Sequence, residues 1–146
     1  MGTSTRAEQA VTFFNKGFNC SQAVFASFAE DYGVPEELAL RIATQFGSGA
    51  RCGEICGAVS GALMVLGLQC GHIHADSKEE YDAAYRKAEA FIACFKEKQG
   101  TVICRELLGY DVTKPEDMAE IRKQGLFDHI CPQMVRCAVE IVEEML

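Results

Sequence analysis

Eight cysteines are the residues of this 146-residue chain with the most evident chemistry. They stand at Cys20, Cys52, Cys56, Cys70, Cys94, Cys104, Cys131 and Cys137. No two of them have the C-x-x-C spacing of a thioredoxin-type dithiol or a zinc-ribbon knuckle. Cys52 and Cys56 form a C-x-x-x-C pair, but Val59 stands where a radical iron–sulfur motif has its third cysteine. Spacing alone therefore assigns no chemistry, and the position of each cysteine relative to the predicted helices is more informative.

Four of the cysteines are predicted to lie at or near helix N-termini. These four are Cys20, Cys56, Cys104 and Cys131. The features that place them there are the cap Asn19, a glycine-bearing loop before Cys56, the cap Thr101 and the following Pro132. A helix N-terminus presents unpaired N–H groups and a partial positive charge, which favour a thiolate over a thiol. These positions predict nucleophilic or metal-ligating cysteines.

The positions of the other four cysteines give less reason to expect a chemical function. Cys70 is predicted at the C-terminal end of a helix, and Cys94 and Cys137 lie inside helices near apolar stripes. Free cysteine is often a small core residue, and this is the interpretation preferred for Cys94 and Cys137. Cys52 stays undecided, because it could pair with Cys56 if both lie on one helical turn.

The elements that must position these cysteines are predicted to be helices. Apolar residues recur with a period of 3.6 residues along almost the whole chain, and no stretch alternates with period two. The fold class is therefore all-α, a compact bundle of about five to seven helices in a single domain over residues 1–146. The predicted helices cover about 5–16, 19–32, 35–45, 55–69, 78–99, 102–108 and 132 to the C-terminus. Residues 110–129 are expected to be irregular, with one turn after Pro115.

Gly57 and Gly61 form a G-x-x-x-G pattern in the most apolar predicted helix. Small residues at this spacing let another helix backbone approach closely. A close approach would also bring cysteines on neighbouring helices within disulfide range, which requires α-carbons about 4.4–6.8 Å apart.

The charge balance limits the classes of partner. The chain has 14 basic and 21 acidic residues and a formal net charge of -7. This argues against sequence-independent binding to nucleic acid or anionic membranes, since both need clustered Lys and Arg. The most apolar stretch, 55–70, is short for a membrane span and predicts a core helix. The acidic surface permits a homodimer without requiring one.

The N-terminal segment, residues 1–10, has no apolar core and no cleavage signature. This predicts a chain that is not exported and stays in the cytoplasm. Structural disulfides are uncommon in that reducing compartment. Eight cysteines there indicate thiol chemistry or a metal, unless they only fill the core.

The chain resembles the family called redox-active and named for the pattern C-GCAxxG-C-C. The matching pieces are F-N-C-S-Q-A-V, G-E-I-C-G-A-V-S-G-A-L, C-R-E-L-L-G and C-P-Q-M-V-R-C-A, in that order over about residues 7–142. Ile55 stands where the family name has Gly before the motif cysteine. The resemblance implies a small, mostly helical protein with four recurrent cysteines, here Cys20, Cys56, Cys104 and Cys131. It also implies an accessory redox role beside an oxidoreductase or transporter.

Three hypotheses from different classes follow, and whether the chain is an enzyme stays open. The first is thiol–disulfide exchange or redox relay with a redox partner protein. In it Cys56 is the attacking thiolate, and Cys20, Cys104 or Cys131 resolves the mixed disulfide. The second is a Cys₄ site for zinc or an iron–sulfur cluster. The third is a non-enzymatic helical interaction module with incidental cysteines.

Overall fold

The structure is a computed structural model and describes residues 5–146. Over these residues it is all-α, as predicted, with eight α-helices rather than five to seven. They are α1 (Thr5–Asn15), α2 (Cys20–Ala29), α3 (Glu36–Ala43), α4 (Gly57–Cys70), α5 (Lys78–Gln99), α6 (Cys104–Leu108), α7 (Pro115–Gln124) and α8 (Leu126–Met145). Residues 1–4 lie outside the described residues. They begin the segment from which the sequence predicted that the chain is not exported.

Helix α2 is the centre of the bundle. It packs against α1, α3, α4 and α8, and Gln22 is the one residue of this helix that is not buried. The side-chain amide of Gln22 is hydrogen-bonded to α3 and to the residue after it: its Nε2 donates to Leu40 O at 3.0 Å and to Thr44 Oγ1 at 3.1 Å. A helix enclosed on all sides fixes the position of its first residue, which is Cys20.

The hydrophobic core consists of two clusters. The larger one joins α1 to α5 and α8 and contains Phe28, Phe91 and Phe95, all essentially inaccessible to solvent. The smaller one lies under α6, α7 and the first turns of α8, with Ile121 at its centre. Cys20 and Cys56 belong to the larger cluster, and Cys104 to the smaller one, with Cys131 packed against it.

The prediction for residues 110–129 was wrong in two respects. Pro115 is the first residue of a full helix, α7, rather than of a single turn. Helix α8 begins at Leu126, and Pro132 lies inside it. Proline is usual in a first turn, but Pro132 lies in the second turn, where its missing N–H removes one hydrogen bond of the helix. Gly125, in the left-handed conformation at φ 66°, separates the two helices.

Among residues 5–146, no helix combines the length and apolarity needed to cross a membrane. Helix α4 is the most apolar one, and it is buried against α2 inside the bundle, as a core helix should be.

Candidate thiol site

All four cysteines selected from the sequence line one cavity of about 240 Å³. The cavity lies between the two clusters of the core, with Cys20 and Cys56 on one side and Cys104 and Cys131 on the other. Cys20, Cys56 and Cys104 are less than a tenth exposed. The fold therefore brings together residues that are up to 111 positions apart in the chain, from 20 to 131.

Cys20 is the first residue of α2, as predicted. Asn19 caps this helix: its Oδ1 accepts from Gln22 N at 2.9 Å, and Gln22 Oε1 accepts from Asn19 N at 2.9 Å. This reciprocal capping box sets the start of the helix and leaves the Cys20 sulfur among its free N–H groups. Gly47 supports the cap, because a Cβ on it would lie 2.6 Å from Asn19 Cγ.

Cys56 is the N-cap residue of α4, so it lies just before that helix. A short antiparallel bridge between Ile55 and Ile103 sets its position. In this bridge Cys56 N donates to Val102 O at 2.7 Å, and Cys104 N donates to Glu54 O at 2.6 Å. The extended backbone of the bridge suits Ile55, the residue that departs from the family pattern. The same bridge ties the start of α4 to the start of α6.

Cys104 is the first residue of α6, and Ile103 is its N-cap residue. The expected cap, Thr101, instead accepts a hydrogen bond from Ile103 N at 3.1 Å through its Oγ1. The predicted position at a helix start is thus confirmed, while the predicted cap is wrong.

The prediction that Cys131 opens the last helix is wrong. It lies in the second turn of α8, where the backbone N–H groups are already paired within the helix. Cys131 nevertheless lines the cavity, because that turn of α8 faces α6 and α7.

The G-x-x-x-G pattern of α4 faces α2. A Cβ on Gly57 would lie 2.6 Å from Cys20 Sγ, and a Cβ on Gly61 would lie 2.7 Å from Ser21 O. Both distances are far below van der Waals contact, so only glycine fits at these two positions. The missing side chains let the Cys20 sulfur rest on the N-terminal turn of α4.

A left-handed turn completes the surroundings of Cys20. Ser48, Gly49, Ala50 and Arg51 have consecutive φ values of 55°, 62°, 58° and 60°. Three of these residues are not glycine, and each left-handed non-glycine residue costs roughly 1–2 kcal/mol. Such strain persists only where the surrounding structure holds it, and it is common at functional sites.

The sulfur of Cys20 is the most acidic thiol of the site. Its pKa is lowered to about 7, first because the Cys56 thiol donates a hydrogen bond to it. Burial acts in the opposite direction, but backbone N–H groups of Ser48, Ser21 and Ala58 also stabilise the thiolate. These three N–H groups come from the left-handed turn and from the starts of α2 and α4. The Cys20 thiolate is therefore held by three separate segments.

Cys56 has the opposite acidity. Its pKa lies well above the ordinary value, chiefly because its proton is held in the hydrogen bond to Cys20, and also because of burial and the nearby negative charge. The N–H groups of Ala58 and Val59 act against this rise. The pair therefore shares one proton, which Cys56 keeps, so that Cys20 and not Cys56 is the more acidic thiol of the pair.

Cys104 and Cys131 are protonated thiols at neutral pH. Burial raises the pKa of Cys104 to about 12, with a further contribution from Cys20. Burial also raises the pKa of Cys131 far above its ordinary value, again with contributions from Cys20 and Cys104. The position of Cys104 at the start of α6 does not offset the effect of burial on its pKa. Cys131 does not lie at a helix start.

The remaining cysteines lie outside the cavity. Cys52 is exposed, and its Sγ donates to Gly49 O at 3.2 Å. Cys70 donates to Leu66 O at 3.2 Å, and Cys94 and Cys137 contribute to the larger core cluster. Across residues 5–146, no three His, Cys, Asp or Glu side chains are grouped closely enough to hold a metal ion.

Sequence reasoning missed the contribution of the left-handed turn. G-S-G-A was expected to be a loop, and nothing in it indicated that Ser48 N would face Cys20. The three glycines of the segment 47–53 indicated a turn but not which residue it would face. Gly49 is required in this turn, because a Cβ on it would lie 2.3 Å from Glu54 N.

The fold and the site together define a helical protein with a buried, hydrogen-bonded cysteine pair at two facing helix starts. The family described as "Putative redox-active protein (C_GCAxxG_C_C)" matches residues 18–145 of the chain. The chain belongs to this family. No curated protein and no solved structure matches it.

Proposed function

We propose that the protein performs thiol–disulfide exchange, with Cys20 as the attacking thiolate and Cys56 as the resolving thiol. The observation that carries this proposal is the hydrogen bond between them, which lowers the pKa of Cys20 to about 7. A thiol whose pKa is close to the ambient pH combines a large thiolate fraction with good nucleophilicity. About half of Cys20 is ionised at pH 7.

The first step is attack of the Cys20 thiolate on one sulfur of a substrate disulfide. A bond forms between Cys20 Sγ and that sulfur, the substrate S–S bond breaks, and the other substrate sulfur leaves as a thiolate. Once Cys20 is in a mixed disulfide it no longer carries negative charge. The two effects of Cys20 that raise the pKa of Cys56 then vanish, and Cys56 loses its proton to solvent more readily.

The second step is attack of the Cys56 thiolate on Cys20 Sγ. The mixed disulfide breaks, the second substrate thiolate leaves, and a Cys20–Cys56 disulfide remains. The substrate disulfide has gained two electrons and the cysteine pair has lost two. A protein dithiol or a low-molecular-weight thiol returns the pair to the reduced state by the same exchange in reverse.

Disulfide mapping tests this proposal. Protein reduced without oxygen is incubated with glutathione disulfide, free thiols are blocked, and the peptides are identified by mass spectrometry. We expect a Cys20–Cys56 disulfide, its loss in Cys20→Ser and Cys56→Ser, and no change in the control Cys70→Ser, which lies at the far end of α4. A disulfide joining other cysteines, or unreacted Cys20 and Cys56, would contradict the proposal.

A Cys₄ metal site is the second candidate, because one cavity is lined by all four cysteines. Its donors would have to move together before they could share an ion. Metal analysis of untagged protein purified without oxygen separates the two candidates. Near-stoichiometric zinc, or several irons with sulfide, would replace the exchange mechanism, whereas a metal-free folded protein with reactive Cys20 supports it.

A further inference from the structure

The cavity differs in charge from the rest of the molecule. The chain carries a formal net charge of -7, yet no Asp or Glu lines the cavity, and its charged lining residues are Arg51 and Arg122. Both arginines are exposed, so they lie at the mouth, while Cys20 and Cys56 lie deeper. Within the described residues neither guanidinium group takes part in an ion pair or hydrogen bond.

Of the five other arginines, four are paired with carboxylates, and the fifth, Arg86, lies on α5 outside the cavity. The paired four are Arg6, Arg41, Arg105 and Arg136. Arg122 lies in the last turn of α7, where a cation is favourable in any case, but Arg51 is held in the left-handed turn and has no such role. Two unpaired guanidinium groups from different segments therefore face one opening.

The walls between the mouth and the sulfurs are mostly apolar. They include Phe14, Phe18, Leu107, Met118 and Phe127. A volume of about 240 Å³ lies below the usual range for drug-sized pockets, which is roughly 300–1,000 Å³. The cavity thus has room for a small organic group, with positive charge at one end and a thiolate at the other.

We infer that the cavity binds a low-molecular-weight disulfide that carries carboxylate groups, and that Arg51 and Arg122 receive the carboxylates. The inference rests on the proposed exchange at Cys20. The bound disulfide accepts the two electrons of the cysteine pair: its S–S bond breaks, Cys20 and Cys56 become linked, and two carboxylate-bearing thiols leave. Guanidinium groups suit this role because their planar fork matches a carboxylate.

A pair of probes with opposite charge tests this inference. 3,3′-Dithiodipropionate carries two carboxylates, and cystamine is a disulfide of similar length with two ammonium groups. We expect reduced wild-type protein to react faster with the anionic probe, after both rates are divided by those of a small reference thiol. Arg51→Gln and Arg122→Gln should each lower the rate for the anionic probe by about threefold to tenfold and leave the cystamine rate unchanged or higher.

Arg86→Gln is the matched control, since Arg86 is an exposed arginine on α5 outside the cavity. It changes the net charge equally and should alter neither rate. Equal normalised rates for the two probes, or identical effects of all three arginine variants, would overturn the inference while leaving exchange at Cys20 intact.

Calorimetric titration of Cys20→Ser with 3,3′-dithiodipropionate separates this inference from the proposed function. Binding that is lost in Cys20→Ser/Arg51→Gln/Arg122→Gln, together with no reaction of the wild-type protein, would refute the exchange mechanism and support the anion site. Reaction of the wild-type protein without measurable binding or charge preference would refute the anion site alone.

Discussion

At Cys20, backbone N–H groups from three segments and one thiol converge on a single sulfur. Each donor favours the charged form, and together they outweigh the burial that would raise its pKa. Cys104 shows the contrasting case, because it also stands at a helix start but burial dominates there. A helix N-terminus alone is therefore insufficient in this molecule, and the number of converging donors decides which thiol ionises.

The Cys56 hydrogen bond can be tested by comparing Cys56→Ala with Cys56→Ser. Alanine removes the donor, so the pKa of Cys20 should rise and its alkylation at pH 7 should slow, by roughly fivefold for a pKa that rises to about 8. Serine keeps a donor and should retain a pKa near 7. The measurement is the pH dependence of iodoacetamide labelling at Cys20, followed by mass spectrometry. Equal profiles for the two variants would show that Cys56 does not set the acidity of Cys20.

At the scale of helices, the contact of α4 with α2 depends on missing side chains. Gly57 receives the Cys20 sulfur and Gly61 receives the backbone of α2. Glycine is otherwise unfavourable inside a helix, by roughly 0.5–1 kcal/mol relative to alanine. Glycine nevertheless stands at Gly57 and Gly61, because the close approach of α4 to α2 at these positions forms the site.

Three alanine substitutions in α4 separate close packing from helix propensity. Gly57→Ala and Gly61→Ala should each destabilise the protein by about 1–3 kcal/mol through overcrowding, and Gly57→Ala should also disturb labelling of Cys20. Gly67→Ala is the control, because nothing lies within 4 Å of a Cβ there, and it should stabilise slightly. Chemical denaturation measures all three. A stabilised Gly57→Ala variant would contradict the close approach of the Cys20 sulfur.

Local sequence signals predicted some of these elements and not others. The capping residue Asn19 was found because a cap depends only on its own side chain and a backbone N–H three residues further on. The start of α8 was missed because Pro132 resembles a first-turn residue, and the true boundary at Gly125 is a weak signal inside a polar stretch. Cys131 was consequently grouped with the right partners for the wrong local reason.

For the whole molecule, the cavity at the junction of the two core clusters is a property of tertiary packing. Its members come from six α-helices and a turn, so no local pattern could indicate its volume or the placement of Arg51 and Arg122. The all-α class was predictable because apolar residues recur with a period of 3.6 residues along almost the whole chain. The four cysteines were selected by their predicted helix starts as well as by the resemblance, and the structure places all four at one cavity.

Oxidation should change the stability of the whole molecule in a pH-dependent way. A disulfide from Cys20 to Cys56 restricts the unfolded chain and should stabilise the native state by roughly 3–4 kcal/mol. The reduced form has its own stabilisation: the pKa of Cys20 falls from 9.0 to about 7 on folding, so its thiolate stabilises the native state above pH 9 and loses this effect as pH falls through 7. The advantage of the oxidised form should therefore shrink by about 1 kcal/mol between pH 6 and pH 8.

Denaturant unfolding of reduced and oxidised protein at pH 6, 7 and 8 measures this difference. The same comparison in Cys20→Ser should show no such change between oxidising and reducing conditions. An oxidised-minus-reduced difference that grows with pH would mean that the thiolate is not stabilised in the folded protein.

The left-handed turn at Ser48–Arg51 links the shape of the backbone to the charge on Cys20. Its strain opposes the conformation in which Ser48 N donates to the sulfur, so the thiolate helps to hold the turn closed. Coupling of this kind is reciprocal. When Cys20 enters a disulfide the charge disappears, and the turn loses one of the interactions that restrain it. The amide of Ser48 should then exchange with deuterium faster in the oxidised protein, so that the motion of this half-buried turn reports the redox state of a buried sulfur.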